Sequence, residues 1–291
     1  MTMTRFRGPL TVTAAVALFL LTACARDTAD GPAAASDVPA GAPAAADDAP
    51  VIRVKQEGGF VPADRLVGRI PRVSVYADGR LIVEGPQIAI YPGPALPNLQ
   101  VVQLEKAKLD QLVEQAVAAG VGSGADLGRP GVADVPATVI EVRTADGVKT
   151  TSAEALNEAM PDDPQLTEAQ RQARAKLAGY VEQLTDLSQT ASKPYQAQTL
   201  AALTMPWVAS GEGEQPVATD WPGPALPGEP MSDGVKMGCV TVTGAELDKV
   251  LAAGAKANQN TPWTSGGKQY SLTFRPLLPD ETGCADLKAA R

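Results

Sequence analysis

The sequence predicts an α+β fold: two related hairpin or strand–helix–strand units of mainly antiparallel sheet, joined by a long helix, after a disordered tether. Three observations carry this expectation. Alternating apolar and polar runs meet at Asp78-Gly79 and Asp146-Gly147, dipeptides that favour tight hairpin turns. Helical stripes at 106–119 and 167–187 separate the strand-rich stretches. Finally, Tyr91-Pro92-Gly93-Pro94-Ala95-Leu96-Pro97 returns as Trp221-Pro222-Gly223-Pro224-Ala225-Leu226-Pro227, each copy followed by strand, helix and strand. Such an echo suggests a pseudo-symmetric body and carries no chemistry by itself.

At the N-terminus, Arg5 and Arg7 precede an apolar stretch from Pro9 to Leu21, then Leu21-Thr22-Ala23-Cys24. A charged start, a short apolar segment and small residues make a signal peptide over residues 1–23, too short to span a bilayer comfortably. The terminal cysteine resembles the lipobox of bacterial lipoproteins. That resemblance implies a diacylglycerol on Cys24, a lipid bilayer as first partner and a place on the extracytoplasmic face of the cell membrane. The bland alternative is a soluble secreted protein with a chance cysteine. Residues 24–50 read as the tether: from 25 onward they hold no large apolar residue except Val38 and cannot offset their ordering entropy.

The folded part is expected from Val51, as an N-terminal unit with bridging helix (51–194) and a C-terminal unit (195–291). The first hairpin spans Arg72–Tyr76 and Arg80–Glu84, with Val73, Val75, Leu81 and Val83 facing the core. After the proline-rich turn come a strand at Leu99–Leu104 and a helix at Lys106–Ala119. That helix carries Leu109, Leu112, Val113, Ala116 and Val117 at helical spacing and stops at Gly120. A second hairpin follows at Val135–Arg143 and Val148–Thr151. Thr167 caps the bridging helix, striped by Leu177, Tyr180, Val181, Leu184 and Leu187. Tyr195–Met205 leans towards strand, and 209–234, rich in Gly, Pro and Glu, reads as an exposed linker. The last block is a strand at Cys239–Val242, a helix with a Thr243/Glu246 capping box, and a strand at Tyr270–Pro276.

Composition excludes more than it assigns. The formal charge is −8, and loss of residues 1–23 removes two arginines and no acid, giving −10. An acidic surface argues against nucleic acid and against electrostatic docking on anionic lipid. The chain has no histidine, which removes Ser-His-Asp and Cys-His catalysis and imidazole-dependent zinc sites. With Cys24 lipidated, Cys239 and Cys284 remain as one disulfide pair for an oxidising compartment, worth roughly 3–4 kcal/mol in the chain-entropy model.

The remaining motifs are weak. Ser265-Gly266-Gly267-Lys268 matches S-x-x-K and Ser232-Asp233-Gly234 a second penicillin-binding motif, but their order is reversed and glycines fill a helix-start position. Gly120-Val121-Gly122-Ser123-Gly124 follows a helix instead of opening one, so it reads as a helix stop. Asp47-Asp48 and Asp162-Asp163 read as solvated turn residues. Asp126 and Asp134, flanking a Gly-Pro loop, are the possible ligand loop, with calcium binding or carboxylate hydrolysis as the chemistry to test. Trp207, Trp221 and Trp263 beside prolines either contact a partner or cap a core poor in aromatics.

Residues 60–291 resemble the uncharacterised secreted lipoproteins of actinobacteria. The resemblance rests on Gly59-Phe60-Val61-Pro62, the Val73–Glu84 hairpin, Tyr91–Pro97, and Thr261-Pro262-Trp263 running to Pro276-Leu277-Leu278-Pro279-Asp280-Glu281 before Cys284. It implies a family with no known activity. A fainter similarity to small secreted protease inhibitors covers only the strand with Thr273-Phe274 and the following cysteine. The expectation is therefore a membrane-anchored, non-catalytic binding or envelope-support protein with no cofactor beyond its lipid, contacting an envelope protein or glycan. The alternatives are a cell-wall-acting hydrolase using carboxylates and a protease-inhibitor-like protein.

Overall fold

A computed structural model describes residues 48–189, 192–209, 216–231 and 236–289. The signal peptide, Cys24, the tether up to residue 47 and Ser232-Asp233-Gly234 lie outside the described residues. The fold is α+β with predominantly antiparallel sheets. In chain order the elements are β1 (Ile52–Glu57), α1 (Ala63–Val67), β2 (Val73–Val75), β3 (Arg80–Glu84), β4 (Leu99–Gln103), α2 (Lys106–Ala118), β5 (Ala137–Thr144) and β6 (Gly147–Glu154). They continue with α3 (Glu168–Asp186), β7 (Lys193–Pro194), β8 (Thr199–Pro206), β9 (Thr219–Asp220), β10 (Glu229–Pro230), β11 (Gly238–Thr243), α4 (Gly244–Gly254), β12 (Trp263–Ser265), β13 (Lys268–Pro276) and α5 (Cys284–Ala289).

The first sheet has strand order β6-β5-β1-β2-β3-β4-β7, antiparallel throughout. Its apolar face follows from strand alternation. Ile52 and Val54 of β1, Val73 and Val75 of β2, Leu81 and Val83 of β3 and Val102 of β4 meet Leu109, Leu112 and Ala116 of α2 and Leu177, Tyr180, Val181 and Leu184 of α3. Gly79 supplies the positive φ of the β2–β3 turn, and a side chain there would strike the Leu104 carbonyl at 2.2 Å. α3 starts in a two-sided capping box. The Thr167 hydroxyl accepts the Gln170 amide, and the Gln170 side chain accepts the Thr167 amide.

The second sheet runs β10-β11-β8-β13-β12-β9, with only β9–β12 parallel. β8 is apolar on both faces because both are covered. Leu200 and Ala202 join Val240, Val242, Leu272, Phe274 and α4, while Ala201 and Leu203 join Val67 of α1, Met231, Met237, Leu277 and Leu287 of α5. The Cys239 and Cys284 sulfurs lie 1.97 Å apart with Cα atoms 6.0 Å apart, linking β11 to α5. Trp221, Trp263 and Phe274 pack with ring centroids 5.6–6.2 Å apart, so two of the three tryptophans serve the core.

Three expectations are corrected here. The 209–234 stretch is not an exposed linker through its described part: Trp221 and Leu226 are buried, and β9 and β10 edge the second sheet. Apolar anchors widely spaced among glycines and prolines have no period to reveal them. Thr243 does precede α4, but its hydroxyl makes no capping bond.

The echo also plays out differently from a pseudo-symmetric pair. Both halves keep the order strand, helix, hairpin, yet β4 and β5 are separated by three strands and β11 and β12 by two. Moreover, both heptapeptides serve one core. Trp221 and Leu226 belong to the second core, and Ala95 and Leu96 pack against that same core. Leu96 seats on Gly254 of α4, where an added Cβ would meet it at 3.0 Å.

Candidate functional site

A cleft of about 750 Å³ opens where α1, the β3–β4 loop and the second sheet meet. Its size suits a small-molecule ligand. The β3–β4 connection wraps around it because Leu96 is anchored on α4 and a bridge joins Pro94 to Asn258. One wall carries Arg65, Arg69 and Arg72, which fall between the start of α1 and the start of β2. The β3–β4 connection contributes Ile88, Ile90 and Tyr91 to the lining, which are 63%, 59% and 87% exposed. Leu272 and Phe274 of β13 line it from the second sheet, with Gln56, Gln87 and Gln259 among the polar groups.

The arginines differ in how they are held. Arg69 Nη1 donates to the carbonyls of Gln56 (3.1 Å) and Gly58 (3.0 Å), which fixes its side chain and leaves its other donors for the cleft. Arg65 and Arg72 form no hydrogen bond or ion pair among the described residues. The one lining carboxylate is Glu84. Crowding by protein pushes its carboxyl up from the usual value, against the pull of Arg275 and Arg72, although the residue keeps contact with solvent. The result is a cationic cleft in an acidic chain.

The two aspartates of the predicted ligand loop are held differently. Asp126 lines a separate cavity of about 420 Å³ with Ser123, Arg129, Thr150 and Glu154; Asp134 does not line it. The Asp126 carboxylate accepts the Gly128 amide (2.9 Å) and the Gln170 side chain (2.9 Å), bonds that hold it below its usual value. It is thus an internal turn-maker. Asp134 takes a left-handed φ of 63°, and its carbonyl accepts the Phe60 amide. Asp163 also departs from expectation. It is buried and accepts the amides of Gly131 (2.9 Å) and Gln165 (2.8 Å), which pull its carboxyl down. Ser265 and Lys268 face each other across the β12–β13 turn, and the Ser265 hydroxyl accepts the Leu226 amide, so S-x-x-K is a hairpin turn here. Among the described residues, no group of three metal-ligating acidic or sulfur side chains converges.

A largely buried polar layer joins residues of the two sheets. Arg53 and Tyr76 of the first sheet hold Asp280, while Arg275 of β13 holds Glu281 and the Tyr195 hydroxyl donates to the Leu277 carbonyl. Burial pushes the Tyr195 phenol up to about 12. Sequence reasoning passed over the cleft entirely. Two signals were present: three arginines within eight residues of an acidic chain, and Ile88-Ala89-Ile90-Tyr91 held between prolines without helix or strand periodicity. No family model matches the chain, and no curated protein or solved structure it was compared with matches it.

Proposed function

We propose that this chain is a lipid-anchored extracytoplasmic lipoprotein acting as a non-catalytic binding module, with diacylglycerol on Cys24 and the arginine-lined cleft as its binding site. The single observation behind the binding half is that cleft, lined both by Arg65 and Arg72, which make no hydrogen bond or close ion pair among the described residues, and by exposed Ile88, Ile90 and Tyr91. The anchoring half rests on Leu21-Thr22-Ala23-Cys24 after a short apolar segment. The hydrolase alternative loses support, because the Asp126 carboxylate is taken up by the Gly128 amide and the Gln170 side chain, and Asp134 does not line the cavity that Asp126 lines.

Two measurements test the proposal. Mass spectrometry of the N-terminal peptide from membranes reads a diacylglyceryl adduct on Cys24, and the Cys24→Ala chain leaves the lipidated fraction. An unmodified Cys24 in an otherwise mature protein refutes the anchor. Hydrogen–deuterium exchange of the full chain with and without a cell-envelope extract reads the site. Protection is expected over residues 63–72 and 84–97. No protection refutes the binding role, and protection confined to 120–129 moves it to the second cavity.

A further inference from the structure

We infer that the cleft takes an amphiphile with one anionic head, a phosphate or carboxylate, and a short apolar body. The inference rests on the cleft being the binding site and names what fills it.

The head follows from charge. Three guanidiniums line the cleft against one carboxylate, in a chain whose formal charge is −8. Arginines in a protein normally find a carboxylate when one is near, and this chain has an excess of acids. Arg65 and Arg72 nevertheless make no hydrogen bond or close ion pair among the described residues, and the charge nearest Arg72 in the lining is the more distant Glu84. Arg69 is clamped by two carbonyls and is therefore positioned before any ligand arrives. Planar guanidiniums with free donors match the oxygens of phosphate and carboxylate.

The body follows from the apolar part of the lining. Ile88, Ile90 and Tyr91 lie on a proline-bounded loop with more than half of each residue exposed. Isolated exposed apolar residues need no explanation, but a cluster at the mouth of a cavity does. Leu272 and Phe274 continue the apolar lining inward, and Gln56, Gln87 and Gln259 leave the middle able to accept or donate. A purely polar anion would leave the isoleucine rim wet, and a neutral hydrocarbon would leave the guanidiniums unpaired. Only a ligand with both halves satisfies both walls.

The test uses hexyl phosphate, with inorganic phosphate and hexanol as its separate halves, titrated calorimetrically into the full chain in a neutral maltoside detergent. Hexyl phosphate is expected to bind at least about tenfold more tightly than either half. Arg65→Gln with Arg72→Gln should weaken it by about tenfold or more, and Ile88→Ser with Ile90→Ser by about threefold or more. Both pairs lie outside the cores, so an unchanged unfolding midpoint separates lost binding from lost folding. Equal binding of inorganic phosphate overturns the apolar half, equal binding of hexanol overturns the charged half, and binding indifferent to both variants overturns the location. Vesicles of phosphatidylcholine with phosphatidylglycerol that displace hexyl phosphate make the bilayer the source. Displacement by a lipid-stripped envelope extract instead makes it a free solute, and either source upholds the chemistry. If the exchange experiment shows protection at the cleft while hexyl phosphate fails to bind, the amphiphile falls and the binding role stands.

Discussion

Arg53 and Asp280 form a two-pronged ion pair across 227 positions of sequence, Nη1 to Oδ2 at 2.9 Å and Nη2 to Oδ1 at 2.8 Å. The Tyr76 hydroxyl donates to the same Oδ1 at 2.7 Å. The two side chains are 15% and 18% exposed, so removing one charge strands the other in a poorly solvated place. Asp280→Asn is expected to cost about 2–4 kcal/mol, short of the fully buried case. Urea unfolding checks this, and a change below about 0.5 kcal/mol would mean the pair joins the layers without holding them.

The same carboxylate makes stability depend on acid. Burial pushes Asp280 up, but the bonds from Arg53 and Tyr76 outweigh it and hold the carboxyl below its usual 3.8. A depressed acid stabilises fully above its unfolded value and loses that contribution as pH falls through the folded one. Between about pH 4 and pH 2 the unfolding free energy of the natural chain should therefore fall more steeply than that of Asp280→Asn. Parallel curves would assign the acid sensitivity elsewhere.

Arg275 tests the second pair. It is 1% exposed, its Nη2 donates to Glu281 Oε1 at 2.6 Å, and Nε has no partner among the described residues. Glu281 in turn accepts the Leu278 amide at 2.7 Å, which closes the turn after β13. Arg275→Leu alone should cost about 3–5 kcal/mol, while adding Glu281→Leu should recover part of that loss. A double variant worse than the single one would show that Glu281 matters mainly through Leu278.

Two threonines that look alike in sequence should behave differently. Thr167→Ala removes a reciprocal cap and is expected to cost about 1 kcal/mol. Thr243→Ala removes no capping bond, so its cost should stay under about 0.5 kcal/mol. Thermal unfolding of both variants side by side decides it, and equal losses would mean that Thr243 caps α4 in solution.

Glu84 should set the pH response of the cleft. Its raised carboxyl takes up a proton before ordinary acids do as pH falls, which removes the one negative charge lining the site. Affinity for hexanesulfonate, whose own charge is constant, is expected to rise on acidification. Glu84→Gln should bind it about three- to tenfold more tightly at neutral pH and lose the pH dependence. An unchanged profile in that variant would place the titrating group elsewhere.

The sheets and helices of the first half were legible because their signals are local. Val73–Val83 alternates around a turn that needs glycine, and Leu109, Leu112 and Ala116 repeat at helical spacing beneath a real helix. β8 could be read only with difficulty, since a strand covered on both faces has no alternation to show. The polar layer was invisible for a different reason: Arg53, Tyr76 and Asp280 are ordinary residues until the chain folds 227 positions together. The cleft was missed likewise, because its walls come from residues 56–97, Thr185 and residues 259–274. Asp126 and Asp134 drew notice as carboxylates beside a flexible loop, yet a carboxylate there can serve the loop's own amides, as Asp126 does.

Leu96 resting on Gly254 has a consequence for the order in which the molecule comes into being. Synthesis delivers the arginines and the isoleucine rim early, but their loop finds its seat only after α4 exists, and the far wall waits for β13. A chain cut short before residue 268 would keep every arginine of the site and have no cleft to put them in. Occupancy of the cleft would therefore certify that translation and folding had both passed β13.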